Sequence, residues 1–213
     1  LKALHSEGLR TTGTRSGSDE PWHALVELPG LRVAFLACTE RSNIASKKPE
    51  SLLRCGKGAK VAHLIQGLSD DPKIDLVIVT PHWGQEFSSQ PNSMQEELAQ
   101  MWVNAGAQVV VGSPPHVLQP GRWIRNTKGA RAYVAYSLGN FCSGMDRINR
   151  RLTVALELHV ERGSDGRVAL QEVRPIPGRM HLSSQPYRVE RLDSAGHELK
   201  LRTEILGLFK DVH

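Results

Sequence analysis

Cysteine is scarce in this chain of 213 residues, which holds only Cys38, Cys55 and Cys142. The number is odd and no Cys-x-x-Cys pair occurs, which argues against a disulfide framework and against structural zinc. Cys38 follows the apolar run Val33-Ala34-Phe35-Leu36 and reads as a small buried residue. Aromatic residues make up 5% of the chain and are not interleaved with basic ones, so nucleic acid is not expected as a partner. No apolar run approaches the length of a transmembrane helix, so no membrane span is expected in this chain, and residues 1–10 do not resemble a signal peptide. No Gly-x-Ser-x-Gly elbow surrounds Ser137, which removes it as a triad nucleophile.

What is present describes an ordinary globular chain. With 39% hydrophobic and 23% charged residues it can bury the core of one large domain. A net charge of +5 favours an anionic partner, although the basic residues are scattered apart from Arg147, Arg150 and Arg151.

Two histidine loops stand out, Thr80-Pro81-His82-Trp83-Gly84-Gln85-Glu86 and Gly112-Ser113-Pro114-Pro115-His116-Val117-Leu118-Gln119-Pro120. Each follows a short apolar run, Leu76-Val77-Ile78-Val79 and Val109-Val110-Val111, that reads as a strand buried on both faces. Between them, residues 93–105 read as a helix with Ser93 as N-cap, Glu96 three residues on, and Leu98, Met101 and Trp102 as the apolar stripe. A strand, helix, strand crossover makes the strands parallel and sends both histidines to the carboxyl edge, where ligand sites of open α/β sheets gather. A hairpin from Arg122–Arg125 through Asn126-Thr127-Lys128-Gly129 to residues 132–136 returns Ser137-Leu138-Gly139-Asn140-Phe141 to that edge. Gly84, Gly112 and Gly139 beside these polar residues would allow positive φ or close backbone approach to a ligand.

Elsewhere, residues 11–20 read as a surface loop, residues 25–28 and 31–37 as a hairpin through Pro29-Gly30, and residues 59–68 as a helix with His63 off its apolar stripe. Leu152, Val154, Leu156, Leu158 and Val160 alternate as a half-buried strand with His159 on the opposite phase, turning at 163–166 into a strand at 167–173. From Arg188 onward the pattern predicts charged amphipathic helix.

At Asp75 to Glu86 with its His-Trp-Gly-x-Glu core, at Ala105-Gly106-Ala107 running into Gly112, at Pro115-His116-Val117-Leu118-Gln119-Pro120 and at Tyr136-Ser137-Leu138-Gly139-Asn140-Phe141, the chain resembles the bacterial capsule-synthesis CapA proteins. These are also called poly-γ-glutamate synthesis proteins and are related to the calcineurin-like metallophosphoesterases. The resemblance implies an α/β fold, the layered α/β/β/α metallophosphoesterase sandwich, here as an incomplete, C-terminal portion. Residues 1–213 would form a single CapA-like domain lacking its N-terminal segment, because the family's Asp, Asn-Glu and Asn-His loops have no counterpart and Leu1 opens in mid-helix. The chain also has Ser113 and Pro114 where family members often carry histidines, so only His116 carries over there.

The implied site holds a divalent metal ion, manganese, zinc or iron, on His82 and His116. Glu86 is a further ligand or the carboxylate that orients a histidine, and Asn140 contacts a ligand residue or substrate. Three roles follow: a metal-dependent hydrolase acting on a phosphoester, an amide or an anionic polymer in capsule or poly-γ-glutamate biosynthesis; a non-catalytic capsule-assembly or polyanion-binding component; or a piece that completes a larger fold. A bacterial, envelope-associated or exported protein is expected.

Overall fold

The computed structural model describes residues 1–42, 49–56, 58–113, 115–182, 188–192 and 198–209. Its elements in chain order are α1 (Lys2–Ser6), β1 (His23–Leu28), β2 (Leu31–Thr39), α2 (Gly58–Asp70), β3 (Leu76–His82), α3 (Ser93–Asn104), β4 (Val109–Val111), β5 (Leu118–Arg125), β6 (Arg131–Leu138), β7 (Leu152–Arg162), β8 (Val168–His181), β9 (Arg188–Arg191) and α4 (Glu198–Leu208), with short 3-10 turns at Pro49–Ser51 and Ile148–Arg150.

A six-stranded mixed sheet has the order β1-β2-β3-β4-β6-β5. Strands β2, β3, β4 and β6 run parallel, and the hairpin partners β1 and β5 close the edges antiparallel. The wholly apolar runs 76–79 and 109–111 occupy the interior of this sheet because both faces are covered. On one face, α2 and α3 bury Val61, Ile65, Leu98, Ala99 and Trp102 against Leu36, Val77, Val79 and Val110. On the other, Val33, Ile78, Val109 and Tyr133 meet Leu152, Val154 and Leu170 of the second sheet, β7-β8-β9, together with Ile205 and Phe209 at the C-terminal end. Helix α3 supplies the crossover between β3 and β4, so the carboxyl ends of β2, β3, β4 and β6 share one edge.

Several local expectations change. Asn92, not Ser93, caps α3: its side chain accepts from Gln95 N while Gln95 Oε1 accepts from Asn92 N, a capping box one residue earlier than the Ser93/Glu96 pairing. The buried stripe holds Gln95, Leu98, Ala99, Trp102 and Val103, so the expected Leu98 and Trp102 are in it while Met101 is 41% exposed. Residues 188–191 form a strand rather than helix, because β8 extends to His181 and offers β9 an open edge. Phe141, at the end of the segment that returns to the edge, is 67% exposed. The stretch 11–20 is not wholly superficial, since Thr12 Oγ1 lies 2.9 Å from Trp22 O, Phe35 O and Ala37 N.

Cys38 and Cys55 form a disulfide, correcting the reading of Cys38 as a free buried thiol. An odd total never excluded one pair plus one thiol. What brings this pair together is backbone: Thr39 bridges Arg54 in parallel, Thr39 N donates to Leu53 O and Cys55 N to Thr39 O. Cys142 is free and exposed.

Candidate functional site

The site lies on the edge shared by β2, β3, β4 and β6. Residue His82 ends β3, and strand alternation divides it from its neighbour: His82 is exposed, whereas Trp83 is 2% exposed beneath it. Trp83 stacks on Trp102 and Tyr136 at 5.4 and 6.1 Å between ring centres, and its indole N–H donates to Tyr136 O at 3.0 Å. Gly112 must be glycine, because a Cβ there would lie 2.1 Å from Tyr136 O and 2.3 Å from Trp83 Nε1. Its role is therefore close approach to protein backbone, not to a ligand. Gly84, at φ 84°, turns the loop away from β3; its N–H donates to Glu40 Oε2 at 2.9 Å, and Gln95 fills the space a side chain would take.

The two histidines find partners on opposite sides. Nδ1 of His82 lies 3.2 Å from Thr39 Oγ1, on the β2 side. The Thr39 hydroxyl donates to Arg41 O, which leaves its oxygen to accept from the imidazole. Nδ1 of His116 lies 2.8 Å from Asn140 Oδ1, on the β6 side. Asn140 Nδ2 donates to Arg150 O at 2.9 Å and to His116 O at 3.3 Å, so its Oδ1 is the acceptor and the imidazole is again the donor. In the neutral form of either ring these contacts place the proton on Nδ1 and leave the lone pair on Nε2.

The loop of His116 is held under strain. His116 has φ 64° and Phe87 has φ 65°, both in the left-handed region that side chains avoid. They face each other with ring centres 6.0 Å apart, and Phe87 N donates to Pro115 O at 2.7 Å. Pro114 lies outside the described residues. Gln119 is fully buried: its Oε1 accepts from Gln95 Nε2, and its Nε2 donates to Ser88 O and Gln90 O, tying the loop after Trp83 to β5.

Among the residues expected here, His116 and Asn140 are brought into contact, and His82 stands on the neighbouring strand. Glu86 is exposed and, among the described residues, bonds to neither histidine. No group of three or more His, Cys, Asp or Glu side chains among the described residues is placed to hold a metal ion. Two residues escaped the sequence reading. Thr39 ends β2 just as His82 ends β3, with Glu40 next in the chain, so the rule applied to the later loops would have found them had the strand not been ended at Ala37. Arg150 stood out only as part of a basic stretch.

The fold and edge define a mixed α/β protein with a polar site at the carboxyl ends of parallel strands. Within that class, the chain belongs to the family described as bacterial capsule synthesis protein PGA_cap, whose model matches residues 1–145. It is 37% identical over 137 residues to the PGA biosynthesis protein CapA of Bacillus subtilis (strain 168), covering 64% of this chain and 32% of that protein. It is 31% identical over 153 residues to the capsule biosynthesis protein CapA of Bacillus anthracis, covering 69% and 35%. The chain thus spans about a third of the length of these curated relatives. Among solved structures it is similar to a hypothetical protein from Thermus thermophilus (17% identity, TM-score 0.46, 78% of this chain and 64% of that one). It is also similar to a novel phosphatase of Mycoplasma pneumoniae (13% identity, TM-score 0.45, 84% and 59%).

Proposed function

We propose that residues 1–213 form one CapA-like domain that contributes to a metal-dependent hydrolase site of the metallophosphoesterase type, within the corresponding α/β/β/α sandwich. The substrate is an anionic phosphoester or amide of capsule or poly-γ-glutamate metabolism. The observation that supports this most is that Nδ1 of each histidine meets an acceptor oxygen, Thr39 Oγ1 for His82 and Asn140 Oδ1 for His116. Neutral imidazoles held at Nδ1 and open at Nε2 are the form that binds zinc, manganese or iron, and the Thr39 and Asn140 contacts fix that tautomer and ring orientation. In this reading Asn140 positions His116 and Thr39 positions His82, which leaves Glu86, bonded to neither histidine, as a further ligand rather than an orienting carboxylate.

The described donors do not complete such a centre by themselves. Remaining ligands would have to come from outside the described residues. A bound divalent ion would polarise a phosphoryl or carbonyl oxygen. The Cys38–Cys55 bridge supports an exported or envelope setting, because disulfides persist in oxidising compartments. A second reading, a polyanion-binding capsule-assembly component, is favoured by the same shortage of acidic ligands and by the net charge of +5.

Metal analysis after dialysis against Mn²⁺ or Zn²⁺ tests the first reading. Residues 1–213 should bind substoichiometrically, and His116→Ala should lower metal content and any phosphoesterase or amidase activity further. His63→Ala, on the exposed face of α2, should change neither. Undiminished metal content and turnover in His116→Ala would overturn the hydrolase assignment in favour of polymer binding.

A further inference from the structure

The 3-10 turn Ile148–Arg150 brings Arg150 into the site. Its carbonyl is held by Asn140 Nδ2, the same amide that fixes His116. Its guanidinium carbon lies 3.7 Å from the centre of the Phe87 ring, whose other neighbour is the imidazole of His116 at 6.0 Å. Arg150, Phe87 and His116 are therefore packed in sequence, although they come from three separate loops.

Arg150 is half-buried, and its Nε is buried with no acceptor among the described residues. A buried donor left without a partner is costly, more so on a charged group. Several arginines here have carboxylate partners, Arg32 with Glu27, Arg162 with Asp75, Arg174 with Glu172 and Arg179 with Glu198; Arg151, next in the chain, shares the buried Nε without an acceptor but not the contact with the Phe87 ring. Arg150 has no carboxylate partner among the described residues; it rests instead on an aromatic face, which holds a guanidinium while leaving its N–H fork open. The residues that place it, Phe87 and His116, are the two side-chain-bearing residues held at positive φ among those described. Strain of this kind persists only where the surrounding contacts hold it, and it clusters at functional sites.

We propose that Arg150 is the anion-anchoring residue of this site, taking an oxyanion of the ligand, carboxylate or phosphate, on its open N–H fork in the loop cluster that holds His116. The proposal rests on the reading of His116 as a ligand-facing residue and does not require hydrolysis. The planar fork matches two oxygens of either anion, and the neighbouring aromatic surface excludes water from one side of the pair.

Calorimetric titration of the chain with inorganic phosphate and, separately, with a γ-linked glutamate oligomer tests it and distinguishes the two sources. Wild type should bind at least one probe, and Arg150→Ala should weaken that binding about tenfold or more, the usual worth of a charge-assisted pair. Arg150→Lys should fall between, since it keeps the charge but loses the fork. Arg147→Ala, an exposed neighbour removing equal charge, should stay within about threefold of wild type. The proposal is overturned if neither probe binds wild type, if Arg150→Ala binds as wild type does, or if Arg147→Ala loses as much. Should Arg150→Ala not fold, Arg150→Lys decides, with unchanged affinity counting against the proposal. Arg150-dependent binding together with undiminished metal content and turnover in His116→Ala would sink the hydrolase reading alone; binding indifferent to Arg150 together with metal content that falls in His116→Ala would sink only this inference.

Discussion

Among single residues, Gly112 shows how little freedom the site has. Its hydrogen atom faces a backbone carbonyl of β6 that already accepts the Trp83 indole N–H. Neither group can retreat without separating β4 from β6 or unstacking Trp83 from Trp102. Gly112→Ala should therefore cost about 3 kcal/mol by overpacking, read as a lowered denaturant midpoint with an unchanged slope. A midpoint equal to wild type would mean that β4 and β6 are not held as described. Motif position alone suggested that this glycine admits a ligand; its neighbours show that it admits a tryptophan.

Among the strands and helices, the junction of β2 with the segment before α2 carries the Thr39 and Glu40 contacts to the His82 loop. The disulfide secures that junction at a sequence separation of 17 residues, with Cys38 4% and Cys55 0% exposed. Closing a loop of that size in the unfolded chain stabilises the native state by about 3 kcal/mol. Replacing both cysteines by alanine should lower stability by roughly that amount. Guanidinium unfolding of the double variant beside wild type measures it, and coincident curves would refute the bridge. The strand itself was readable from Val33 to Ala37. The pairing was not, because it depends on where residues 52–55 run, and they carry no strong local pattern.

Across the molecule as a whole, the two sheets are joined by a charge clamp as well as by apolar packing. Asp75, just before β3, accepts from Arg32 N at 2.8 Å with one oxygen and pairs with Arg162 at the end of β7, also at 2.8 Å, with the other. Burial pushes the Asp75 carboxyl up, but the Arg32 N–H and the Arg162 guanidinium outweigh it and hold it below its ordinary value of 3.8. A depressed carboxylate contributes stability above its unfolded value and loses it as pH falls through the lower folded value. Asp75→Asn should thus be less stable than wild type by about 1 kcal/mol near neutrality, a modest figure because Arg162 is 43% exposed. The gap should close as pH drops below 3.8. Thermal unfolding of both proteins across that range checks the sign; a gap that widens in acid would contradict the clamp.

Local sequence signals were enough to set the parallel crossover of residues 76–79 and 109–111, its helix, both hairpins and the edge to which His82, His116 and Asn140 are delivered, while the place of β2 beside β3 came from the structure. Apolar runs, capping residues and turn residues act over a few positions, and a right-handed crossover converts them into topology. The three-dimensional packing alone established which groups the histidines touch, that Glu86 stands apart from both, that Glu40 and Arg150 join the edge, and that Cys38 meets Cys55. Those outcomes depend on loop paths and side-chain directions among residues far apart in the chain. Such contacts are set by how the strand ends, the 3-10 turn at Ile148–Arg150 and the second sheet pack together, which no window of sequence contains.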